Sequence, residues 1–392
     1  MKKEAISVFA GFQFDSDYYT KEGLETAVDE AIKNVEKQLR KEYKYIKLEY
    51  TGQKIESFNR LDEDITGKIK NSDICIFEIS YKNPNVYFEL GYALGVSLSR
   101  YVQEALSIII IQNEKVSHTE IASDLFGRYL LKYHERTDLV GKLADSLSNK
   151  TNLLFKDRRF LNRLLWGMYN EKVNIICPHI PKKAYGGWGT RLGERGDFDT
   201  VYELATFLGG ILECDVKYYT AKEVSPIEDK LFYDHVVIVG GPRWNNYTSH
   251  FIDAYHIPFK YEWYAEEDKK DFLCNEISHR KYELKENWDG VKKYITKDYG
   301  GFAKLPSKYN DEKFIILING IETFGTHGAG RAFTYEPVFE KNCKLVLENA
   351  GLPPYFAVII ESDVNFNLYS YPKHIRKENI LVYDPNREMW VI

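Results

Sequence analysis

The sequence predicts an α/β protein with two domains, and three observations lead to this fold class. The chain has 392 residues, more than one ordinary hydrophobic core accommodates. Its hydrophobic content of 44% and charged content of 28% are typical of a globular protein. Short β-branched runs alternate with helical segments, first over residues 1–149 and again over residues 173–392. We therefore expect two α/β domains joined by a helical linker over residues 150–172.

The first alternating series predicts a parallel sheet with helices on both faces. Strands are expected at residues 5–12, 45–50, 73–79 and 105–112. Helices are expected at residues 23–42, 60–71, from about residue 84 onward and at 137–149. Continuous apolar strands separated by helices are typical of parallel sheets that are buried on both faces, as in flavodoxin-like folds.

The second series predicts a Rossmann-like α/β domain. Strands are expected at residues 173–180, 216–221, 235–241, 314–320 and 356–362, and helices at residues 198–212 and 336–351. Residues 258–305 are richer in charged and aromatic side chains, which indicates an antiparallel excursion within this domain. The linker mixes basic and apolar positions at helical spacing and is expected to be one connecting helix.

Composition argues against several classes of protein. The net charge is −5 and the basic residues are spread along the chain, so nothing favours binding to nucleic acid or a membrane surface. The segment MKKEAISVFAGFQFDSD has no apolar stretch long enough for a signal peptide, and no segment approaches 18 consecutive apolar residues, so we expect neither a signal peptide nor a membrane span. The five cysteines are far apart and form no CxxC pair, and the histidines are scattered. We expect a cytoplasmic protein with reduced thiols and no metal site.

One apolar segment, NPNVYFELGYALG at residues 83–95, carries a single acid, Glu89. Asn83 followed by Pro84 is a helix-start signal, because Asn caps the first turn and Pro is tolerated at the first helical position. The helix is apolar nearly all round, so we expect it to be buried, with Gly91 and Gly95 allowing close approach of backbone or ligand. Burial should raise the pKa of Glu89, as is common at functional sites. A structural role, as a cap or in a pair with a buried Arg, is the alternative.

The sequence SDICIFEISYKNPNVYFELGYALGV around this helix resembles a motif of the TIR-like and nucleoside 2-deoxyribosyltransferase-like superfamily. In that group an NPN–ElG block joins a central strand to the catalytic helix. Weaker similarities, in VFAGFQFD at residues 8–15 and in the segment before residue 149, extend the resemblance through most of residues 1–149.

The resemblance implies a catalytic role for Glu89, whose carboxylate would stabilise or attack the anomeric carbon as an N-glycosidic bond breaks. The substrate-binding residues that it implies are Gly11, Phe12, Phe14, Asp15, Glu78, Asn85 and Tyr92. Glu78 stands where the family usually has Asp. Asn85 could serve the helix start instead, and Tyr92 could belong to the core.

Family membership favours an NAD glycohydrolase of the kind found among TIR-like bacterial antiviral defence effectors. NAD would then be the substrate, and no cofactor would act as catalyst. A nucleoside or nucleotide 2-deoxyribosyltransferase or hydrolase is the alternative enzyme. A non-catalytic nucleotide-binding scaffold, in which Glu89 is a structural acid, is the alternative of another class.

The second domain contains three glycine-rich segments that are expected to be loops following strands, at residues 184–196, 240–246 and 319–331. Such loops converge at the carboxyl ends of parallel strands, where backbone N–H groups and nearby arginines bind phosphate. The candidate effector-binding residues are Arg191, Gly240, Gly241, Arg243, Asn245, Gly325, Thr326, His327, Gly328 and Arg331. We therefore expect a nucleotide-like activator to bind this domain and to change the assembly of a homo-oligomer.

Overall fold

The computed structural model describes residues 6–13, 15–40, 47–51, 61–81, 83–99, 107–116, 130–155, 158–178, 188–225, 227–263, 271–288, 290, 293–351, 354–365 and 369–391. The chain divides into two compact units, Met1–Leu161 and Asn162–Ile392, which are described separately. We call them unit 1 and unit 2.

Unit 1 is built around a parallel five-stranded sheet. Its strands are β1 (Ile6–Gly11), β2 (Asp15–Ser16), β3 (Tyr19–Thr20), β4 (Leu48–Thr51), β5 (Ile74–Glu78), β6 (Ser107–Asn113) and β7 (Leu130–Tyr133). Its helices are α1 (Lys21–Leu39), α2 (Leu61–Asn71), α3 (Pro84–Ser99) and α4 (Arg136–Leu154), and α5 (Arg158–Trp166) contains the division between the units. The residues predicted to form one connecting helix, 150–172, belong to the end of α4, to α5 and to the segment that leads into the next strand, which begins at Lys172.

The sheet has the strand order β4-β1-β5-β6-β7, and every neighbouring pair is parallel. Without the two-residue strands β2 and β3, which pair with each other, this is the flavodoxin-like order 2-1-3-4-5. All described residues of β1 and β5 are buried, as expected for strands with helices on both faces. The predicted α/β fold class is confirmed for this unit.

Helix α3 starts where the sequence predicts. The side-chain Oδ1 of Asn83 accepts a hydrogen bond from the backbone N of Asn85 (2.8 Å), and Pro84 is the first helical residue. The expectation that this helix is buried nearly all round is wrong. Phe88 is 64% exposed, and a methyl group added at Gly91 or Gly95 would meet no described atom within 4 Å apart from the adjoining backbone of its own helix. Among the described residues, Val86, Leu90 and Ala93 pack in one apolar cluster with side chains of β1, β5 and α2. The side of the helix with Phe88, Gly91 and Gly95 is exposed.

Unit 2 contains a larger, mixed sheet. Its strands are β8 (Lys172–Cys177), β9 (Asp215–Thr220), β10 (His235–Val239), β11 (Phe259–Glu262), β12 (Phe272–Asn275), β13 (Arg280–Glu283), β14 (Lys285–Trp288), β15 (Lys293–Pro306), β16 (Phe314–Gly320), β17 (Phe356–Asn365), β18 (Tyr369–Pro372), β19 (Ile380–Asp384) and β20 (Met389–Val391). Its helices are α6 (Trp188–Gly210), α7 (Ala221–Val224), α8 (Glu228–Leu231), α9 (Asn246–Ala254), α10 (Thr323–Arg331) and α11 (Glu336–Ala350).

The main sheet of unit 2 runs in the order β20-β19-β17-β15-β16-β10-β8-β9. Strands β16, β10, β8 and β9 are mutually parallel, whereas β15, β17, β19 and β20 pair in antiparallel fashion. The antiparallel part is therefore larger than predicted. Within the described part of the predicted excursion, β11–β13 form a small separate sheet. Strand β15, which the sequence placed in the excursion, lies between β16 and β17 in the main sheet.

Candidate active site

The candidate site of unit 1 lies at the carboxyl ends of β1 and β5. These strands are neighbours, with Gly11 opposite Phe77 in the register, and the chain leaves them toward opposite sides of the strand order. This is the topological switch point, where open α/β sheets bind ligands. Gly11 ends β1 and Glu78 ends β5. Helix α3 follows β5 and brings Glu89 to the same edge.

The carboxylate of Glu89 packs directly on the backbone of Gly11. A methyl group added at Gly11 would lie 2.5 Å from Glu89 Oε2 and 2.8 Å from the ring of Phe77. Any side chain at residue 11 would therefore displace the acid. Glycine at the end of β1 is required for this close approach.

Glu89 is 5% exposed, and burial raises its pKa to about 7. The direction is the one that the sequence predicts, because removal from water disfavours the charged carboxylate. A carboxyl group with this pKa changes its charge near neutral pH and can act as a base or stabilise a cation.

Glu78 is the second acid at this edge and is 1% exposed. Its carboxylate accepts hydrogen bonds from the backbone N of Ser80 at 3.2 Å, from the Ser80 hydroxyl, and from the Tyr133 hydroxyl at 3.1 Å. The hydroxyl of Tyr19 is a further donor. Burial raises the pKa of Glu78 to about 7 although these hydrogen bonds favour the charged form. Strand alternation places Glu78 on the opposite face of β5 from Phe77, the residue that lies beside Gly11.

The other predicted substrate-binding residues occupy different environments. Phe12 is buried, and its ring lies 6.5 Å from that of Tyr19. Asn85 is exposed in the first turn of α3, and Tyr92 is partly buried against the apolar cluster under α3. Phe14 and the side chain of Asp15 lie outside the described residues. Of the predicted residues, the structure thus brings Gly11 into contact with Glu89, while Phe12 packs beside Tyr19.

Sequence reasoning missed the hydroxyl groups that surround Glu78. Tyr19 lies in the hairpin after β1, Ser80 follows β5, and Tyr133 ends β7. A signal was present for the first two, because polar residues after parallel strands gather at the carboxyl edge. The contribution of Tyr133 depends on the pairing of β7 with β6, which no local pattern indicates.

In unit 2, two of the three segments predicted to be loops are helical over most of their described residues. Residues 188–196 belong to α6 and residues 323–331 form α10, so Gly325, Thr326, His327 and Gly328 are helical and buried. The side chain of Arg191 lies outside the described residues. The segments nevertheless converge as predicted: a methyl group at Gly241 would lie 3.0 Å from Gly320 O, and one at Gly196 would meet Thr323.

The turn at residues 240–245 keeps its predicted form. Gly240 has a φ of 103°, which favours glycine. Asn245 is buried and caps α9, with Oδ1 accepting from the backbone N of Tyr247 at 3.1 Å. Arg243 is exposed, with its guanidinium 5.3 Å from the ring of Trp244.

Two buried carboxyl groups already occupy the first turn of α10. Asp298 on β15 accepts a hydrogen bond from the backbone N of Gly325 at 2.6 Å, and Asp197 accepts one from the hydroxyl of Thr323 at 3.3 Å. Burial raises the pKa of Asp197 to about 7 and that of Asp298 well above its ordinary value. Because acids fill the position where a helix N-terminus attracts phosphate, this segment does not favour the predicted phosphate site.

His327 and Arg331 have partners within unit 2. His327 Nε2 lies 3.2 Å from Glu203 Oε1, and Arg331 Nε lies 3.5 Å from Glu203 Oε2. Arg331 also donates to Ser370 O at 2.9 Å and stacks 4.1 Å from the ring centre of Tyr335. These contacts hold α10 against α6 and β18. The role of this unit in binding an activator stays a prediction.

The chain is similar to solved structures at low sequence identity. No protein-family model matches the chain, and no curated protein matches it. Among solved structures, a CMP N-glycosidase from Clostridium botulinum is 17% identical with a TM-score of 0.24, over 35% of this chain and 97% of that one. A protein from Salmonella typhimurium LT2 described as sugar binding is 8% identical with a TM-score of 0.21, over 64% of this chain and 73% of that one. Both TM-scores are too low to establish a shared fold.

A search for membrane-spanning helices gives a negative result for the described part of the chain, where every helix is too short or too polar to cross a bilayer.

Proposed function

We propose that unit 1 is an N-glycosidase in which Glu89 is the catalytic carboxylate. The observation that carries the proposal is the position of Glu89: a buried acid, in contact with Gly11, at the switch point of a parallel sheet. Ligands of such sheets bind in this crevice. Glu89 is also the acid to which the sequence resemblance gives the catalytic role.

Cleavage of an N-glycosidic bond is a reaction that a buried carboxylate such as Glu89 can assist. When the bond between the anomeric carbon and the base nitrogen breaks, the electron pair leaves with the base and positive charge develops on the sugar ring. An ionised Glu89 stabilises that charge more strongly in a buried site than in water. Water then supplies hydroxide to the anomeric carbon. Its proton goes to a nucleobase that leaves as an anion, or to solvent when neutral nicotinamide leaves from NAD.

NAD is the substrate that the family resemblance favours, and a role in antiviral defence follows from the same resemblance. Deoxynucleosides are the alternative from the transferase branch of that superfamily. CMP joins the candidates because one distant structural neighbour carries CMP N-glycosidase in its name. All three contain the same reacting unit, an N-glycosidic bond to a pentose.

The test is an assay for released base with the full-length protein. NAD, CMP and each deoxynucleoside are incubated separately at pH 8, with and without a panel of cyclic nucleotides and ADP-ribose derivatives. We expect free nicotinamide or free nucleobase from at least one substrate. Binding of these compounds without release of base under any condition would overturn the proposal and favour the non-catalytic scaffold.

A further inference from the structure

A chain of hydrogen bonds connects buried Glu78 to the first turn of the helix that carries Glu89. The Tyr19 hydroxyl donates to Glu78 and accepts from the backbone N of Gln13 at 3.2 Å. The side chain of Gln13 accepts from Asn83 Nδ2 at 3.1 Å, and Asn83 caps α3 through the N of Asn85.

We propose that Tyr19 is a positioning residue that ties the loop after β1 and the first turn of α3 to the buried carboxyl group of Glu78. This inference rests on the proposed function, because Tyr19 would control the position of Glu89, the proposed catalytic residue. Tyr19 acts through Gln13 and Asn83 and has no assigned contact with substrate.

These hydrogen bonds link the two parts of the structure that contact or carry Glu89. Gln13 lies two residues beyond Gly11, whose backbone contacts Glu89, and Asn83 lies at the start of the helix on which Glu89 stands. A shift of Gln13 therefore moves both surfaces that hold the Glu89 carboxylate. A displacement of about 1 Å in an active site can lower the rate about 100-fold.

Tyr19 suits this role because its hydroxyl can donate once and accept at the same time. Burial raises its pKa above the ordinary tyrosine value, and does the same for Tyr133, so both hydroxyls keep their protons. Among the described residues, these tyrosines, from the β2–β3 hairpin and from β7, are the titratable groups that hydrogen-bond Glu78. The hydroxyl and N–H of Ser80 complete the set of donors. When Glu78 takes up a proton it needs an acceptor of its own, and this set of donors must rearrange.

Tyr133 provides a matched control. Its hydroxyl also donates to Glu78, at 3.1 Å, but it stands on β7, and the hydrogen bond from the Gln13 backbone goes to Tyr19. Tyr19→Phe and Tyr133→Phe each remove one hydroxyl group and one hydrogen bond to the same acid. Only the first breaks the path to α3.

The kinetic test compares these two variants on the substrate that releases base. We expect Tyr19→Phe to lower kcat at least about tenfold with little change in KM, because the reacting geometry is disturbed more than binding. We expect Tyr133→Phe to stay within about threefold of wild type. Equal losses in both variants would overturn the positioning role, because the only shared change is a lost donor to Glu78.

A second readout does not need activity. In the full-length Glu89→Gln protein, where Glu89 no longer titrates, the 15N amide signals of Gln13 and Asn85 are followed from pH 5.5 to 8.5. We expect both to report the titration of Glu78, near pH 7, and Glu78→Gln to abolish that titration. Tyr19→Phe should uncouple both signals and Tyr133→Phe should not.

If both signals titrate in Tyr19→Phe as they do in its parent, the inference fails whatever the kinetics show. If wild type releases no base, the proposed function fails while the titration still decides the role of Tyr19. Should Tyr19→Phe not fold, Gln13→Ala breaks the next link, and the Asn85 signal alone then gives the answer: it must stop titrating.

Discussion

The carboxylate of Glu89 rests on the backbone of Gly11, at a distance that leaves no room for a side chain on residue 11. A methyl group there would stand 2.5 Å from Glu89 Oε2. The first prediction follows from this contact. Gly11→Ala should destabilise unit 1 by about 1–3 kcal/mol through overpacking and should abolish base release because Glu89 is displaced. Chemical denaturation and the base-release assay measure the two effects.

Gly91→Ala on the same helix is the control for this substitution. Apart from the adjoining backbone of the helix, no described atom lies within 4 Å of the added methyl group, and replacement of Gly by Ala within a helix stabilises by about 0.5–1 kcal/mol. Activity should be unchanged. A Gly11→Ala protein as stable and active as Gly91→Ala would contradict the observed packing.

Glu89→Gln should stabilise unit 1 at high pH. The pKa of Glu89 is raised to about 7 from 4.5, so the folded state holds its proton more tightly. The associated stability is complete below pH 4.5 and is lost as the pH rises through 7, by up to about 3 kcal/mol. Neutral Gln removes this loss, so its melting temperature should exceed that of wild type at pH 8 and match it near pH 4.5.

The control for this prediction is Glu49→Gln, on an exposed position of β4, which should change the melting temperature little at either pH. If Glu89→Gln lowers the melting temperature at pH 8, the carboxylate makes a structural contact that outweighs the cost of its burial.

Base release should depend on pH. An ionised Glu89 is required, so kcat/KM should rise as the pH increases through about 7, the value to which burial raises this pKa. Glu78 titrates in the same range, and the Glu78→Gln variant separates the two groups: the rise should persist with unit slope in a logarithmic plot. A flat profile between pH 5.5 and 8.5 would be incompatible with a catalytic Glu89 of raised pKa.

The cap of α3 should matter for stability and for catalysis. Asn83→Ala removes the acceptor for the Asn85 N–H, which should cost about 1 kcal/mol. It also breaks the contact with Gln13, so base release should fall as well. Asn85→Ala keeps the backbone donor and removes an exposed side chain, so it should affect stability by less than half as much. Thermal unfolding of Asn83→Ala and Asn85→Ala, each compared with wild type, measures the two losses of stability. A loss in Asn85→Ala as large as that in Asn83→Ala would contradict the capping role of the Asn83 side chain.

Local pattern predicted the parts of the fold in which local preference and tertiary packing agree. β1 and β5 are continuous apolar runs buried on both faces, and the Asn83–Pro84 pair marks the start of α3. The same residues led to Glu89, since a single acid in an apolar helix stands out. The expected burial of α3 is wrong on the side of Phe88, which is exposed, because apolar character alone does not show which side of a helix the sheet covers.

Helix α10 shows why other parts of the fold, including the predicted loops of unit 2, could not be predicted from local sequence patterns. Its three glycines disfavour a helix by up to about 1 kcal/mol each, and the segment was therefore expected to be a loop. In the structure the carbonyl of Gly325 touches Gly300 on β15, and Gly328 packs on Ser362 of β17. Such close contact between helix and sheet requires residues without side chains. Tertiary packing therefore outweighs local propensity here, and the partner strands are distant in sequence.

The proposal that Glu89 is the catalytic carboxylate is tested most directly by comparing base release by wild type and by Glu89→Gln. Both rates are measured at pH 8 on the same substrate, after both proteins are shown to be folded. We expect a loss of about 1,000-fold or more in the variant, which is the scale of removing a group that stabilises charge in the transition state. Release of base by Glu89→Gln within about tenfold of the wild-type rate would show that Glu89 is not the catalytic carboxylate.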